Sequence, residues 1–345
     1  MNENDLKLLK ALSEAFSPSG YESEIRSLIR AEIQSKVDRV YVDPMGNLIA
    51  EKGIASDILI CAHMDEVGFM VSEICEDGTL KISPVGGITQ NSLPSKKIRI
   101  GKNKIQGVIG AKPIHLTRKE KKESDFIDLF AEIGASSKKE AELLTSVGDF
   151  AVFDTDFYVT MNGESVFGKA LDNLIGCFLL CKLIEENAVK NGTFVFSVQE
   201  ETGLRGAAAV ADKQKFNFAI ALDTTTANDL PGIDAPQKVC CINNGPVISY
   251  IDGATVYSRD LVRDAFGELN RLGISAQTKM KKAGGNDASA LQKVGNGHKV
   301  LSLSVPCRYI HGPIGIASIF DIEESFRALV ALSARYSNSE KKNVR

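Results

Sequence analysis

The sequence contains no tryptophan, which leaves few broad aromatic platforms for stacking on sugars and weighs against carbohydrate binding. It also lacks any apolar run long enough for a membrane span, a length of about 20 residues. A basic excess is absent too: 41 Lys and Arg against 44 Asp and Glu give a formal net charge of -3. Without a basic footprint, nucleic acid is not an expected partner, and neither is a membrane. The opening "MNENDLKLLKALSEAF" is acidic and polar, unlike a secretory leader. Seven cysteines is an odd number, and Cys61, Cys177, Cys181 and Cys307 sit in apolar runs. Buried reduced thiols in a cytoplasmic protein are therefore expected. Cys177 and Cys181 share a helical face, but no further Cys or His nearby completes a zinc set.

The patterning divides the chain. Residues 4–16 and 22–35 read as amphipathic helices separated by the turn "SPSG", followed by short strands near 37–43, 47–52 and 57–62. From 71 to 161 the texture is β-rich, in runs such as "KISPVGG", "KKIRIG", "IQGVIGA" and "FAVFDTDFYVT", with one helix at "SKKEAELLTS". This segment is expected to be inserted into a discontinuous domain made of 1–70 and 162–345. After Gly168, helices and strands alternate: a helix near 171–187, strands "GTFVFSV", "FAIALD" and "HKVLSLSV", helices after Gly203 and at "SRDLVRDAFGELNRLG", and a last helix at "IFDIEESFRALVALSARYS". That rhythm predicts an α/β class, with a strand layer covered by helices. No internal repeat is evident, and the tail "SEKKNVR" is expected to fray.

Chemistry-bearing residues collect at the ends of these elements. "DILICAHMDEVGFMV" puts His63 just past a buried strand, with Asp65 placed to fix the imidazole tautomer. Asp172 opens an apolar helix, where an N-terminal capping role is the plain alternative. Asp223 ends the strand "FAIALD", and His311 lies in the loop "VPCRYIHGPIG". "VFSVQEETGLRGA" ends a buried strand in two adjacent carboxylates, Glu200 and Glu201. In a regular strand they would face opposite sides, but Thr202-Gly203 implies that the strand has already ended. Both can then face one cleft, where a cation offsets their repulsion. Two His, two Asp and one Glu of the pair make a ligand set for two divalent ions. Three carboxylates against four positive charges leave a surplus that favours a bridging hydroxide. The second Glu of the pair remains free to act as general base.

These motifs, together with "GKALDNLIGC", "IALDT" and "GGNDAS", resemble the cytosolic metallo-aminopeptidases of the glutamyl and deblocking, tetrahedral type. Some members of that family carry the name endoglucanase. The resemblance spans essentially the whole chain. It implies a mixed α/β/α sandwich with an inserted β-rich oligomerisation domain, acting on peptides and assembling as a dodecamer built from dimers. It further implies that His63 and Asp223 bind one ion, Glu201 and His311 the other, and Asp172 both. Glu200 would be the base and Asp65 the orienter of His63. Zinc is the implied metal, with cobalt and manganese as alternatives.

Gly312, Gly315 and Leu174 depart from the family's usual residues, and "VGGITQNSLPSK" lacks its usual aspartate; these bear on specificity and assembly, not on the ligand set. "GGNDAS" is either a loop near the substrate or a plain Gly-rich turn. A carboxypeptidase, tripeptidase or N-acyl-amino-acid deacylase with the same dinuclear centre is the alternative function. A glycoside hydrolase fits less well, because its two carboxyls must stand at least about 5 Å apart across a sugar. No substrate-binding residue is assigned from the sequence.

Overall fold

A computed structural model describes residues 1–53, 58–88, 92–110, 130–295 and 297–337. The tail "SEKKNVR", the TQN within "VGGITQNSLPSK" and the final Ala of "IQGVIGA" lie outside these.

Helices α1 (Glu3–Glu14) and α2 (Ser23–Ile33) open the chain, followed by strands β1 (Arg39–Val42), β2 (Leu48–Lys52) and β3 (Ile58–His63). All six residues of β3 are buried. So are all six of β12 (Gly192–Ser197). Strands buried at every position, rather than on alternate ones, are those covered on both faces. β3 lies between β12 and β13 (Phe218–Thr226), and β13 between β3 and β15 (Lys299–Arg308), all parallel. Antiparallel strands flank this block. β2 and β1 extend one side, and β16 (Gly315–Ser318), β11 (Ser165–Gly168) and β10 (Tyr158–Val159) extend the other. With β14 (Val247–Ile248) beside β15, the sheet has ten strands.

Helices cover this sheet and complete the α/β/α sandwich. The apolar α4 (Leu171–Glu185) packs on β13 and β3, and is itself flanked by α1, α2 and α8 (Ile319–Ser337). α5 (Arg205–Lys213) packs against α7 (Ala288–Lys293), while α6 (Arg259–Arg271) lies against α8.

The β-rich stretch closes into a barrel: β4 (Gly68–Ile74), β5 (Leu80–Val85), β8 (Phe130–Glu132), β7 (Ile105–Ile109), β6 (Lys97–Ile100) and β9 (Phe150–Phe153). Closure leaves no strand edge open, and the barrel has its own core around Phe69, Val71, Ile98, Ile100 and Phe153. Its strands begin at Gly68 and end at Phe153. The run "FAVFDTDFYVT" is therefore split, since Tyr158–Val159 pairs with β11 of the large sheet. The helix expected at "SKKEAELLTS" forms only as α3 (Lys138–Glu142), capped by Ser137, whose hydroxyl accepts from the amide of Glu140.

Candidate metal centre

β3 and β12 end at one level, whereas β13 runs on to Thr226 beside β15, so Asp223 lies three residues inside its strand rather than at the end the sequence suggested. Ser197 of β12 stands beside His63 of β3, and Leu222 of β13 beside Ala62, so His63, the Glu pair and Asp223 emerge together at the carboxyl edge. Crevices beyond the carboxyl ends of parallel strands are where α/β folds gather ligands. β12 stops at Ser197, and the chain turns through Gln199, which has a left-handed φ of 55°. The amides of Gly203 and Leu204 both donate to the carbonyl of Glu200 at 2.9 Å. Gly203 itself has φ 116°, a conformation that side chains resist. Glu200 and Glu201 thus sit on a tight turn rather than a strand, and both carboxylates reach the His63 imidazole region. Asp172 lies within the first turn of α4 but with non-helical φ and ψ of -85° and 105°. It points to the centre and caps nothing. His311 comes from the turn between β15 and β16, with φ 60°.

Asp172 is the pivot of the site. Its Oδ1 lies 3.5 Å from His63 Nε2, and its Oδ2 lies 3.4 Å from His311 Nε2. His63 Nε2 is also 3.6 Å from Asp223 Oδ1 and 4.0 Å from Glu200 Oε2. His311 Nε2 is 3.4 Å from Glu201 Oε2. Three overlapping donor groups result, His63–Asp172–Asp223, His63–Glu200–Glu201 and Asp172–Glu201–His311, each with its ligand atoms within 4.8 Å of one another. Among the described residues, no cysteine belongs to a group of this kind.

Four carboxylates in one buried cleft need compensation, and among the protein groups alone protons provide it. Burial by itself would depress His63, but Glu200, Asp172, Asp223 and Asp65 together push it well above its ordinary value. His311 behaves the same way: burial is outweighed by Asp172 and Glu201, raising it to about 9. Burial raises Glu201 to about 8, helped by the charge of Asp172. It raises Asp223 to about 6, with Asp172 adding to the effect. Glu200 is raised well above the usual range by burial and by Asp287, Asp223 and Glu201. Asp172 moves the opposite way, held far below the usual range against burial by the two histidines. Two imidazoles and three or four carboxylates arranged in this way fit a pair of borderline divalent cations, which would take over the role of those protons.

Asp65 does more than the sequence implied. His63 Nδ1 is nearest the backbone carbonyl of Asp65, at 3.1 Å, with the carboxylate at 3.5 Å. The carboxylate itself accepts from the Glu200 amide at 3.0 Å, the Glu201 amide at 3.2 Å and Ser19 Oγ at 2.5 Å. It therefore fixes the turn that carries the Glu pair. Sequence gave no signal for this, because a carboxylate bound to amides 135 residues away leaves no local pattern.

A cavity of about 730 Å³ opens from the centre, lined by Thr224, Thr225, Asn228, Lys279, Gly284 and Gly285 among others. The glycines of "GGNDAS" therefore do border the cleft, while Asp287 lies buried behind it, accepting from Ser197 Oγ at 2.5 Å. Thr224, which lines this cavity, has an Oγ1 that is buried without a hydrogen-bond partner among the described residues. The run of three threonines after Asp223 was the available sequence signal.

Known proteins place this arrangement. The model of the M42 glutamyl aminopeptidase family matches residues 46–327. A putative aminopeptidase of Acetivibrio thermocellus is 36% identical, over 96% of this chain and 99% of that one. The TET aminopeptidase of the marine sediment archaeon Thaumarchaeota archaeon SCGC AB-539-E09 superposes with a TM-score of 0.92 at 31% identity, covering 96% of each chain. The Pyrococcus horikoshii TET1 peptidase, described as assembling into a tetrahedron or a large octahedral shell, superposes at 0.84 with 35% identity, over 95% of this chain and 99% of that one. The chain belongs to the M42 glutamyl aminopeptidase family, and its activity is the metal-dependent removal of residues from the N-termini of peptides.

Proposed function

We propose that His63 and Asp223 hold one divalent ion, Glu201 and His311 a second, and that Asp172 bridges the two. The observation that carries this reading is Asp172, whose two oxygens face different histidines at 3.5 and 3.4 Å. Zinc suits the mixed imidazole and carboxylate donors, and cobalt or manganese can occupy such sites according to availability. Bound ions would supply Lewis-acid chemistry, acidifying water and polarising the scissile carbonyl. The protein supplies the rest. Glu200 takes the proton from the attacking water and returns it to the departing amine nitrogen, a role that its place at the edge of the donor cluster, 4.0 Å from His63 Nε2, leaves open to it. Asp65 keeps Glu200 and Glu201 in place through their amides and turns His63 Nε2 toward the centre through its carbonyl. The cavity beside Thr224 receives the peptide's N-terminal residue.

At the level of the assembly, the barrel built by β4–β9 makes the contacts of a homo-oligomer, a dodecamer built from dimers. The likeness to the P. horikoshii peptidase supports the homo-oligomer, and the barrel's separate core is what assigns the contacts to it in this reading. Seven unpaired cysteines, five of them buried, accord with a cytoplasmic setting. The test is a panel of aminoacyl chromogenic substrates, assayed at measured metal content and again after chelation. Activity should vanish on chelation and return with zinc or cobalt. Full turnover by metal-free protein would refute the reading.

A further inference from the structure

The turn "SPSG" between α1 and α2 reads in the sequence as a plain connector. In the fold it is wired to both segments that carry the ligands. Lys169, three residues before Asp172, has a fully buried side chain, and its Nζ donates to Glu66 Oε1 and to the carbonyl of Ala15, both at 2.6 Å. Glu66, three residues after His63, is 2% exposed. Its Oε1 also accepts from the Ser17 amide at 3.1 Å and from Ser17 Oγ at 2.9 Å. The backbone repeats the connection. The Glu66 amide donates to the Ser17 carbonyl at 2.8 Å, and the Ser19 amide to the Glu66 carbonyl at 3.1 Å. Ser13 Oγ donates to the Lys169 carbonyl at 2.6 Å. Ser19 Oγ binds Asp65, which in turn holds the amides of Glu200 and Glu201.

We infer that Lys169 and Glu66 form a buried strut that sets the spacing of the 63–66 and 169–172 segments, making Lys169 a positioning residue for the metal pair. Neither side chain hydrogen-bonds a ligand side chain among the described residues, although Glu66 borders the same small cleft as Asp172, Glu201 and His311. Each acts through backbone that carries a ligand three residues away, His63 from Glu66 and Asp172 from Lys169. Asp172 is the group that has to meet two histidines at once, so a shift of the 169–172 segment would disturb both sites together. A surface ion pair would have no such reach, but this one is anchored at four further points of the 13–19 segment. The inference rests on the ligand assignment proposed above.

The test uses the full-length protein stripped of metal and titrated with zinc by calorimetry, with the visible spectrum of the cobalt(II)-loaded form as a geometric readout. Lys169→Met leaves Glu66 charged and unpaired. The double variant Lys169→Met/Glu66→Gln removes both charges and keeps an acceptor for Ser17. The double variant should regain the stability lost in Lys169→Met, yet bind zinc roughly 10–100-fold more weakly than the unaltered protein, with a changed cobalt spectrum. Zinc affinity and cobalt spectrum like those of the unaltered protein in the double variant would show the pair to be structural only, and would overturn the inference. Ser17→Ala removes one hydroxyl and keeps the pair, so it remains readable if the pair variants do not fold. It should weaken zinc in the same direction, and unchanged affinity there would also overturn the inference. If the unaltered protein takes up no zinc or cobalt, the ligand assignment itself has failed. If the unaltered protein binds both ions and the variants match it, only the strut has.

Discussion

At the scale of the residue, the two adjacent glutamates have different surroundings and so make separable predictions. Glu200 Oε2 stands 4.0 Å from His63 Nε2, whereas Glu201 Oε2 is 3.4 Å from His311 Nε2. Glu200→Gln keeps shape and removes the proton acceptor, so turnover should fall on the order of 10²–10⁴-fold while metal content stays near that of the unaltered protein. Glu201→Gln weakens a ligand, so one of the two ions should be lost along with the rate. Measuring bound metal and turnover in both variants separates the roles, and the opposite pattern would exchange them. Protons compete with metal here. His311 at about 9 and Glu201 at about 8 must both release a proton to bind an ion. Because both values are raised, apparent zinc affinity should climb from pH 6 to pH 9 and fall as the pH drops through that window. Calorimetric titrations at several pH values, with proton release read from buffers of different ionisation enthalpy, check the sign; a flat profile contradicts it.

At the scale of the element, the centre depends on strand ends held by groups outside the strands. Asn47, at the start of β2, is fully buried and accepts from the Val198 amide at 3.0 Å while donating to the Gly206 carbonyl at 3.0 Å. It thereby ties β2 to the end of β12 and to the start of α5, bracketing the turn that carries Glu200 and Glu201. Asn47→Ala would orphan the Val198 amide, at a cost of roughly 1–3 kcal/mol when no water replaces the side chain, while the Gly206 carbonyl keeps its place in the helix ladder. Urea denaturation should show a stability loss of that order, and turnover should fall more than binding of a substrate analogue does. A variant as stable and as fast as the unaltered protein would mean that the turn holds itself. The Lys169–Glu66 pair belongs to the same class of connection. Breaking a buried pair by removing one partner costs about 3–5 kcal/mol, because the survivor is left charged and dry.

At the scale of the whole molecule, the barrel and the sandwich have separate cores, around Phe69 and Phe153 in one and around the buried β3, β12 and β13 strands in the other. Under the proposed function, the sandwich carries the chemistry and the barrel the assembly. Light scattering at micromolar protein should find a mass many times the 37.3 kDa of one chain. A lone monomer would remove the oligomer from the proposal. Sequence alone was enough for a strand layer covered by helices, since a run such as "ILICA" is apolar throughout only if both faces are covered. It was also enough to place His63 at a strand end and to take Glu200 and Glu201 off the strand, because Thr-Gly chemistry is local, but it stopped β13 at Asp223, whereas pairing with β15 carries that strand on to Thr226. It failed to divide "FAVFDTDFYVT" between two sheets, since strand pairing is decided by distant partners. Nor could it show that Asp65 clamps the glutamate amides, that Thr224 is left unpartnered, or that a connector serine reaches Glu66. Periodicity and turn chemistry are written in neighbouring residues, and so the sequence determined them. Which buried polar groups meet across 49 residues, as Ser17 and Glu66 do, or 135, as Asp65 and Glu200 do, depends on how layers pack, and that only the tertiary structure decided.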